Sequence, residues 1–257
     1  MKTKLEIASN WLPRYSGMPL KKFGEYILLT NFGSYLNYFA EKFNCQIYGR
    51  DMPMQAATNK DGVTMINFGM GSPNTATILD LLTAINPKAV LLLGKCGGIK
   101  RSTDIGHFIL PIAAIRGDGT SNDYMLPEVP ALPSFKFHKF ISEQLYARKL
   151  EYRTGVIYTT NRRVWEWDNQ FKEYLKKLSV LGIDMETATL FIVGHANKIP
   201  RGALLLVSDL PMTPEGVKTS KSDQSNNQKY TDLHLDIGIE TMTNIGKNDE
   251  FLKHFQY

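Results

Sequence analysis

Four apolar segments of the sequence end in residues of types that can support chemistry. Two end in glycine turns, at 69–71 (GMG) and 94–98 (GKCGG), and two end in carboxylates, at 184–186 (DME) and 208–209 (SD). A carboxylic acid in a cleft can hold the polar groups of a ligand or transfer a proton to it. Each feature also has a structural interpretation, because Glu186 could cap the following helix and a glycine turn could serve tight packing.

The motifs of several common enzyme classes are absent from the sequence. The turn at 94–98 lacks the spacing of a P-loop, and GMGSPN at 69–74 lacks the third glycine of a dinucleotide-binding fingerprint. The five histidines show no metal-ligand spacing, the two cysteines form no CxxC pair, and no GxSxG elbow occurs. We therefore expect neither a metal nor a cofactor.

Alternating apolar strands and helices are predicted to position these residues. We expect strands at 25–30, 45–49, 54–58, directly after 62, and at 89–94, 107–117, 152–160, 181–185 and 203–210, and helices at 33–43, 73–85, 134–150, 168–178, 186–198 and 231–245. The alternation predicts an α/β fold with a central mixed sheet, in which ligand sites lie beyond the carboxyl ends of strands. The polar stretch 217–230 is interpreted as a loop or lid, or else a tether, within one domain spanning 1–257.

The composition favours a cytoplasmic globular enzyme over a nucleic-acid-binding or membrane protein. The chain has 257 residues, 43% of them hydrophobic, and a net charge of +5. Acidic residues are interspersed with the basic ones, and no apolar run approaches the length of a bilayer-spanning helix. Two cysteines without a pairing pattern suit a reducing compartment, and the first residues show no signal segment.

Four blocks, taken in order, resemble the signature blocks of the nucleoside phosphorylase and nucleosidase family. They are GMGSPNTATI from 69, LLLGKCGGI from 91, IDMETATLF from 183 and LLVSDL from 205. The segment 116–133 looks like uridine phosphorylases and, together with 158–168, looks closer still to the catalytic domain of AMP nucleosidases. Those enzymes often carry an N-terminal regulatory domain, for which we expect this chain to be too short. The resemblance implies a barrel-like sheet wrapped by helices and a homo-oligomer, a dimer or hexamer, with sites near subunit interfaces.

The resemblance also implies roles for residues at two strand ends. Glu186 matches the family glutamate that holds the ribose 2′ and 3′ hydroxyls, and Met185 would pack against the sugar. Asp209 matches the aspartate that protonates or hydrogen-bonds N7 of a purine, and Gly97 and Ser208 are expected to contact the substrate. Cleavage of an N-glycosidic bond produces an anionic purine, which a suitably placed carboxylic acid can protonate.

The base of the substrate is expected to be a purine held against aromatic side chains. Tyr158, Trp165 and Trp167 are the predicted wall, with core packing as the alternative for each. Asp209 favours a purine, and the family match favours adenine. The DGTS block at 118–121 is similar to uridine phosphorylases, so a pyrimidine base is the alternative.

The family's site for inorganic phosphate, the nucleophile of phosphorylases, is altered in this sequence. Tyr35 and Leu92 stand at or near the places of two arginines, and Lys95 replaces a small hydroxyl. A phosphate site without those charge-assisted hydrogen bonds should be poor, so we expect water as the nucleophile. Lys95 then either fills the former phosphate pocket or contacts a phosphate of the substrate. Asp184 is one alternative for the base that activates the water, and a structural role is the other.

A 5′-phosphate on the substrate would need cations beside the sugar. By resemblance to hexameric phosphorylases, Arg14 and Arg50 are predicted to reach this phosphate across a subunit interface, with Lys95 as a third ligand. Three further arginines are alternative ligands of this phosphate: Arg116, Arg162 and Arg163. For every one of these cations, the other interpretation is a surface charge without a binding role.

Together the residues and the resemblance predict hydrolysis of AMP to adenine and ribose 5-phosphate, with this nucleotide as the partner and no nucleic acid or membrane. One alternative is a nucleoside phosphorylase with a rebuilt phosphate site. The other is a nucleotide-binding protein without activity, against which the presence of both Glu186 and Asp209 argues.

Overall fold

The computed structural model describes residues 1–213, 216 and 228–247. Their strands are β1 (Tyr26–Thr30), β2 (Gln55–Thr58), β3 (Val63–Asn67), β4 (Ala89–Gly98), β5 (Phe108–Gly117), β6 (Tyr152–Thr160), β7 (Gly182–Asp184) and β8 (Arg201–Asp209). Their helices are α1 (Lys4–Ser16), α2 (Gly33–Phe43), α3 (Ser72–Leu82), α4 (Phe135–Ala147), α5 (Asn169–Leu178), α6 (Thr187–Ala196) and α7 (Gln228–Lys247). The predicted loop at 217–230 lies outside the described residues as far as 227, and 228–230 begin α7.

The eight strands form one mixed sheet that closes partly into a barrel. Their order is β2-β3-β1-β4-β7-β6-β5-β8, and β8 also pairs with β4 along most of its length. This second pairing closes β4, β7, β6, β5 and β8 into a ring, while β1, β3 and β2 extend from it. The predicted α/β class with a mixed, barrel-like sheet surrounded by helices is confirmed.

Strand β4 lies at the centre of the sheet because both of its faces are apolar. It pairs in parallel with β1 and β8 and antiparallel with β7. The register with β8 shifts after Cys96, so that Cys96 pairs with Val207 but Gly97 pairs with Asp209. A Cβ atom on Gly97 would lie 2.8 Å from Pro211 and 3.4 Å from the carboxylate of Asp209, so glycine is needed for this close approach.

Helices cover the sheet on two sides, each with its own apolar core. Helices α1, α3 and α6 pack on one side, and α2, α4 and α7 pack on the other. Helix α6 is buried along eight consecutive residues, 187–194, which explains its apolar sequence. A third cluster around Trp165 and α5 packs against Ile183 of β7. None of the described helices has an apolar stretch long enough to cross a membrane.

Three local predictions are wrong or incomplete. The glycine turn expected at 94–98 is instead the last part of β4, which pairs with β8 there. The segment 45–49 was expected to be a strand, but it forms only one bridge, between Tyr48 and Ala56. It leaves α2 through a left-handed Asn44 and turns again at Gly49, where φ is +77°, so no extended run is available. Helix α1 was not predicted, although Thr3 and Glu6 form a capping box at its start.

A buried hydrogen-bond chain connects α2, α7 and β8 behind the cavity described below. The hydroxyl of Tyr35 donates to Nδ1 of His234 over 3.0 Å, and Nε2 of His234 donates to the carbonyl of Leu204 over 2.9 Å. Both rings are fully buried. Burial lowers the pKa of His234 to about 3, so the ring is neutral and Nδ1 acts as an acceptor.

Tyr35→Phe should therefore destabilise the protein by about 1–3 kcal/mol, because it leaves Nδ1 of His234 buried without its donor. Urea unfolding would measure the change in the free energy of unfolding. The matched control is Tyr38→Phe, which removes a half-buried hydroxyl that bonds Asp236. Equal effects of the two substitutions would contradict the assigned role of the Tyr35–His234 bond.

Candidate active site

A cavity of about 340 Å³ lies where residues in or just after β1, β4, β6, β7 and β8 converge. This volume is within the range of small-molecule sites. Its predicted lining residues are Lys95, Gly97, Arg162, Arg163, Trp165, Asp184, Met185, Glu186, Ser208 and Asp209. Residues not predicted for the site also line it: Asn31, Phe32, Met70, Cys96, Thr160, Glu166, Ile183 and Pro211.

Glu186 is held inside this cavity by donors from three parts of the chain. Its Oε1 accepts hydrogen bonds from the backbone N–H of Gly71 over 2.8 Å and from Nδ2 of Asn31 over 3.2 Å. Its Oε2 accepts from the backbone N–H of Met185 over 3.2 Å. Although Glu186 occupies the N-cap position of α6, its side chain makes no capping hydrogen bond. The carboxylate is therefore directed to the cavity rather than to the helix.

Asp184 performs the capping that Glu186 does not. Its Oδ2 accepts from the backbone N–H and the hydroxyl of Thr187, and its Oδ1 accepts from the hydroxyl of Thr159 over 2.7 Å. Both oxygens thus have protein donors, and the side chain fixes β6, β7 and α6 together. Burial raises the pKa of Asp184.

Burial and the neighbouring carboxylate of Asp184 both raise the pKa of Glu186. Burial raises the pKa of Glu186 to about 7, and the charge of Asp184 contributes to the increase. The hydrogen bonds from Gly71, Met185 and Asn31 act in the opposite direction. Glu186 therefore changes charge close to neutral pH, and donors from a ligand would favour its ionised form.

Asp209 also lines the cavity, and it is the last residue of β8. The hydroxyl of Ser208 donates to its Oδ1 over 2.7 Å, which orients the carboxyl group. The register shift in β4 brings Gly97 beside its other oxygen, as described above. The cavity thus places two carboxyl groups, Glu186 and Asp209, around one enclosed volume.

Lys95, in β4, brings a positive charge to the cavity lining. Its Nζ lies 4.8 Å from the ring centre of Phe32 and 5.6 Å from that of Tyr35, in cation–π geometry. Leu92 and Tyr35 are both fully buried in the core and do not line the cavity.

Of the three aromatic residues predicted to hold the base, only Trp165 lines the cavity. Trp165 is buried and lines the cavity. Tyr158 does not line it and packs edge-on against Phe171 and Tyr174. Trp167 is 72% exposed, with the guanidinium of Arg162 5.9 Å from its ring centre.

Two of the predicted arginines lie at the cavity, each with an acidic neighbour. Arg162 bonds Asp168 over 2.9 Å, and Arg163 lies 3.4 Å from Glu166. Arg116 is outside the cavity and donates to Ser121, Asn122 and the carbonyls of 125, 126 and 129, so it holds this loop in place.

Arg14 and Arg50 are exposed on a surface away from the cavity lining. The end of α1 packs on the turn at Gly49, since a Cβ atom on Gly17 would lie 2.8 Å from the Gly49 nitrogen. Arg14, in the last turn of α1, and Arg50, next to Gly49, are thus carried by segments that pack on each other.

Asn31 and Glu166 are cavity residues that the sequence reasoning did not select. Asn31 directly follows β1. It could therefore have been predicted in the same way as Glu186 and Asp209, because ligand sites lie beyond the carboxyl ends of strands. Glu166 lies in the loop between β6 and α5, where no sequence signal distinguishes it from other loop carboxylates. Among the described residues, no group of three or more His, Cys, Asp or Glu side chains is placed to hold a metal ion.

Comparison with known proteins identifies similar chains. Residues 25–240 match the phosphorylase superfamily. The AMP nucleosidase of Escherichia coli K12 is 28% identical over 277 aligned residues, which cover 90% of this chain and 57% of the relative. This chain thus spans little more than half the length of that curated relative.

Solved structures have the same fold. The crystal structure of AMP nucleosidase from Bacteroides thetaiotaomicron VPI-5482 has a TM-score of 0.85 and 53% identity, covering 96% of this chain and 100% of the other. Uridine phosphorylase from Vibrio fischeri ES114 has a TM-score of 0.78 at 23% identity, covering 88% and 93%. The second similarity supports the fold alone.

Glu186→Gln should remove a pH-dependent loss of stability. Because the folded pKa of about 7 lies above the ordinary value of 4.5, the folded protein keeps a proton that the unfolded chain releases between these values. Stability of the unmodified protein should fall as pH rises through this window, by on the order of 2 kcal/mol. Urea unfolding between pH 5 and 8 would measure it. Glu186→Gln should give a flatter profile and the exposed control Glu173→Gln an unchanged one, whereas parallel profiles for all three proteins would refute the shift.

Proposed function

The chain belongs to the phosphorylase superfamily, and we propose that it is an N-glycosyl hydrolase that converts AMP and water to adenine and ribose 5-phosphate. The observation that carries this proposal is that Glu186 and Asp209 line the same cavity. The 53% identity to a structure named AMP nucleosidase, over its whole length, supports the choice of AMP.

The nature of the nucleophile follows from what surrounds Lys95. By the family resemblance, phosphorylases bind inorganic phosphate with two arginines near the places of Tyr35 and Leu92. Here both side chains are buried in the core, so neither can donate to an anion in the cavity. Lys95 is the one cation at these three positions, and its charge already faces two aromatic rings. Water is therefore the proposed nucleophile.

Glu186 is proposed to hold the 2′ and 3′ hydroxyls of the ribose. Its oxygens already accept from Gly71, Asn31 and Met185, which orient it without filling all of its acceptor positions. Ribose hydroxyls would add donors and favour the ionised carboxylate. A negative charge at this position also stabilises the positive charge that develops on the sugar as the bond breaks.

Asp209 is proposed to protonate N7 of adenine. As the bond between C1′ and N9 breaks, its electron pair moves into the purine, and a proton from the carboxylic acid of Asp209 neutralises the leaving base. The hydroxyl of Ser208 keeps the carboxyl group directed into the cavity. Water then adds to C1′ and loses a proton to solvent, and Asp209 regains a proton before the next turnover.

Asn31 offers an acceptor for this water. Its Nδ2 donates to Glu186, so the position of the amide group is set, and its buried Oδ1 has no hydrogen-bond partner among the described residues. A buried carbonyl oxygen without a partner favours a bound water or ligand donor. Orientation of the water, with little activation, suffices when bond cleavage is well advanced in the transition state.

The 5′-phosphate is proposed to bind Lys95 and Arg162 from the cavity, with Arg14 and Arg50 supplied by a second copy of the chain. Arg163 is paired with Glu166 and is not assigned to the phosphate. Both arginines are exposed and do not line the cavity of their own chain, which supports a contribution across an interface in a homo-oligomer. We propose that this oligomer acts in the cytoplasm, where the two free cysteines would stay reduced.

Asp209→Asn should lower kcat for release of adenine from AMP by about 10²–10⁴-fold, because an amide cannot protonate the leaving purine. Asp61→Asn, in an exposed turn, is the matched control and should keep full activity. The assay compares AMP, adenosine, GMP and UMP, and AMP should be the best substrate. Release of base from AMP by Asp209→Asn at more than a tenth of the unmodified rate would contradict the assigned role.

Arg14→Ala and Arg50→Ala should raise KM for AMP by about tenfold or more while leaving KM for adenosine nearly unchanged, since a charge-assisted phosphate contact is lost. Lys21→Ala, an exposed cation in the following turn, serves as the control. Equal effects on AMP and adenosine would exclude these arginines from phosphate binding.

A further inference from the structure

The cavity contains a fourth carboxylate whose role is not explained by the mechanism above. Asp184 caps α6, and Glu186 and Asp209 have proposed contacts to sugar and base. Glu166 also lines the cavity, and its side chain is only 20% exposed. It lies in the loop between β6 and α5, directly after the buried Trp165.

Glu166 is fixed as an acceptor by its neighbours. Its Oε2 accepts the backbone N–H of Trp165 over 2.9 Å, and its Oε1 lies 3.4 Å from a guanidinium nitrogen of Arg163. The Arg163 side chain is 56% exposed, so this ion pair contributes little to stability. Each carboxylate oxygen offers two acceptor positions, so positions remain for a ligand donor.

Packing connects the loop of Glu166 with the end of β8, because Met212, three residues after Asp209, packs against the apolar cluster that contains Trp165. Trp165 packs in one cluster with Ile183 of β7. Ile183 pairs with Gly97 of β4, and Gly97 pairs with Asp209 of β8. Glu186, in comparison, accepts hydrogen bonds from Gly71 and Asn31, which follow β3 and β1.

The chemistry of a purine connects the two carboxyl groups. N7 and the substituent on C6 lie on the same edge of the ring, so a group beside Asp209 meets the C6 substituent when Asp209 meets N7. In adenine this substituent is an amino group, which donates, whereas in 6-oxopurines it is a carbonyl oxygen, which only accepts. Carboxylates pair well with exocyclic amino groups of bases and are repelled by a carbonyl at the same place.

We propose that Glu166 binds the 6-amino group of adenine and thereby makes the site selective for 6-aminopurines over 6-oxopurines. This inference rests on the proposed function for the orientation of the base, since it takes N7 to be at Asp209. It assigns to Glu166 a role in specificity and none in bond cleavage.

The first experiment compares kcat/KM for AMP and for inosine 5′-monophosphate, its 6-oxo counterpart. Glu166→Gln keeps an acceptor for the backbone N–H of Trp165 and adds an amide N–H that can donate to a 6-oxo group. The ratio of the two kcat/KM values, AMP over the 6-oxo nucleotide, should fall by at least about tenfold, mainly through a gain for the 6-oxo substrate. Glu173→Gln, the same change on the exposed face of α5, should leave the ratio as it is.

A second experiment does not depend on turnover. Calorimetry would measure binding of free adenine and free hypoxanthine to the unmodified protein, Glu166→Gln and Glu166→Ala. The unmodified protein should prefer adenine, and both variants should lose most of that preference. A Glu166-dependent preference without AMP hydrolysis would support this inference and defeat the proposed function. An unchanged ratio of substrates together with an unchanged preference for adenine would overturn the inference, even if AMP is hydrolysed.

Discussion

The placement of Glu186 in a buried position beside a second carboxylate is the constraint on which the rest of the site depends. Two adjacent negative charges are costly out of water unless donors surround them. The fold supplies these donors from separate elements, with Thr159 and Thr187 for Asp184, and the N–H of Gly71 and the amide of Asn31 for Glu186. The ends of β1, β6 and β7 and the starts of α3 and α6 are thereby fixed around one point, which is the proposed ribose site.

Closure of the barrel determines where the second carboxyl group lies. Strand β8 pairs with β4 over eight register positions, and the shift after Cys96 sets Asp209 across from Gly97. A side chain at Gly97 would occupy space that Pro211 and the Asp209 carboxylate now fill. The register shift therefore sets the position of Asp209 beside the cavity. Gly97, which the sequence placed in a glycine turn, lies in β4 and packs closely against Asp209.

The sequence predicted the parts of the site that follow from the ends of strands, and it was less informative about long side chains. The apolar runs before Glu186 and Asp209 define buried strands, so their convergence at one edge follows from the α/β pattern. The position of Tyr158 in the core depends on its packing with Phe171 and Tyr174, and that of Arg116 on a loop of carbonyls. Such contacts involve residues that are distant in sequence or that lie in irregular loops. The spacing of apolar residues along the chain predicts helices and strands, but it does not predict these contacts.

Water, and not inorganic phosphate, is proposed to attack the sugar, because two of the three positions that hold phosphate by the family resemblance are Tyr35 and Leu92, both buried in the core, and the third is Lys95 beside two aromatic rings. The most direct test is phosphorus NMR of the products formed from AMP in a large excess of inorganic phosphate. Attack by water should give a single new sugar phosphate, ribose 5-phosphate, with no consumption of inorganic phosphate. Appearance of ribose 1,5-bisphosphate, with matching loss of inorganic phosphate, would contradict it.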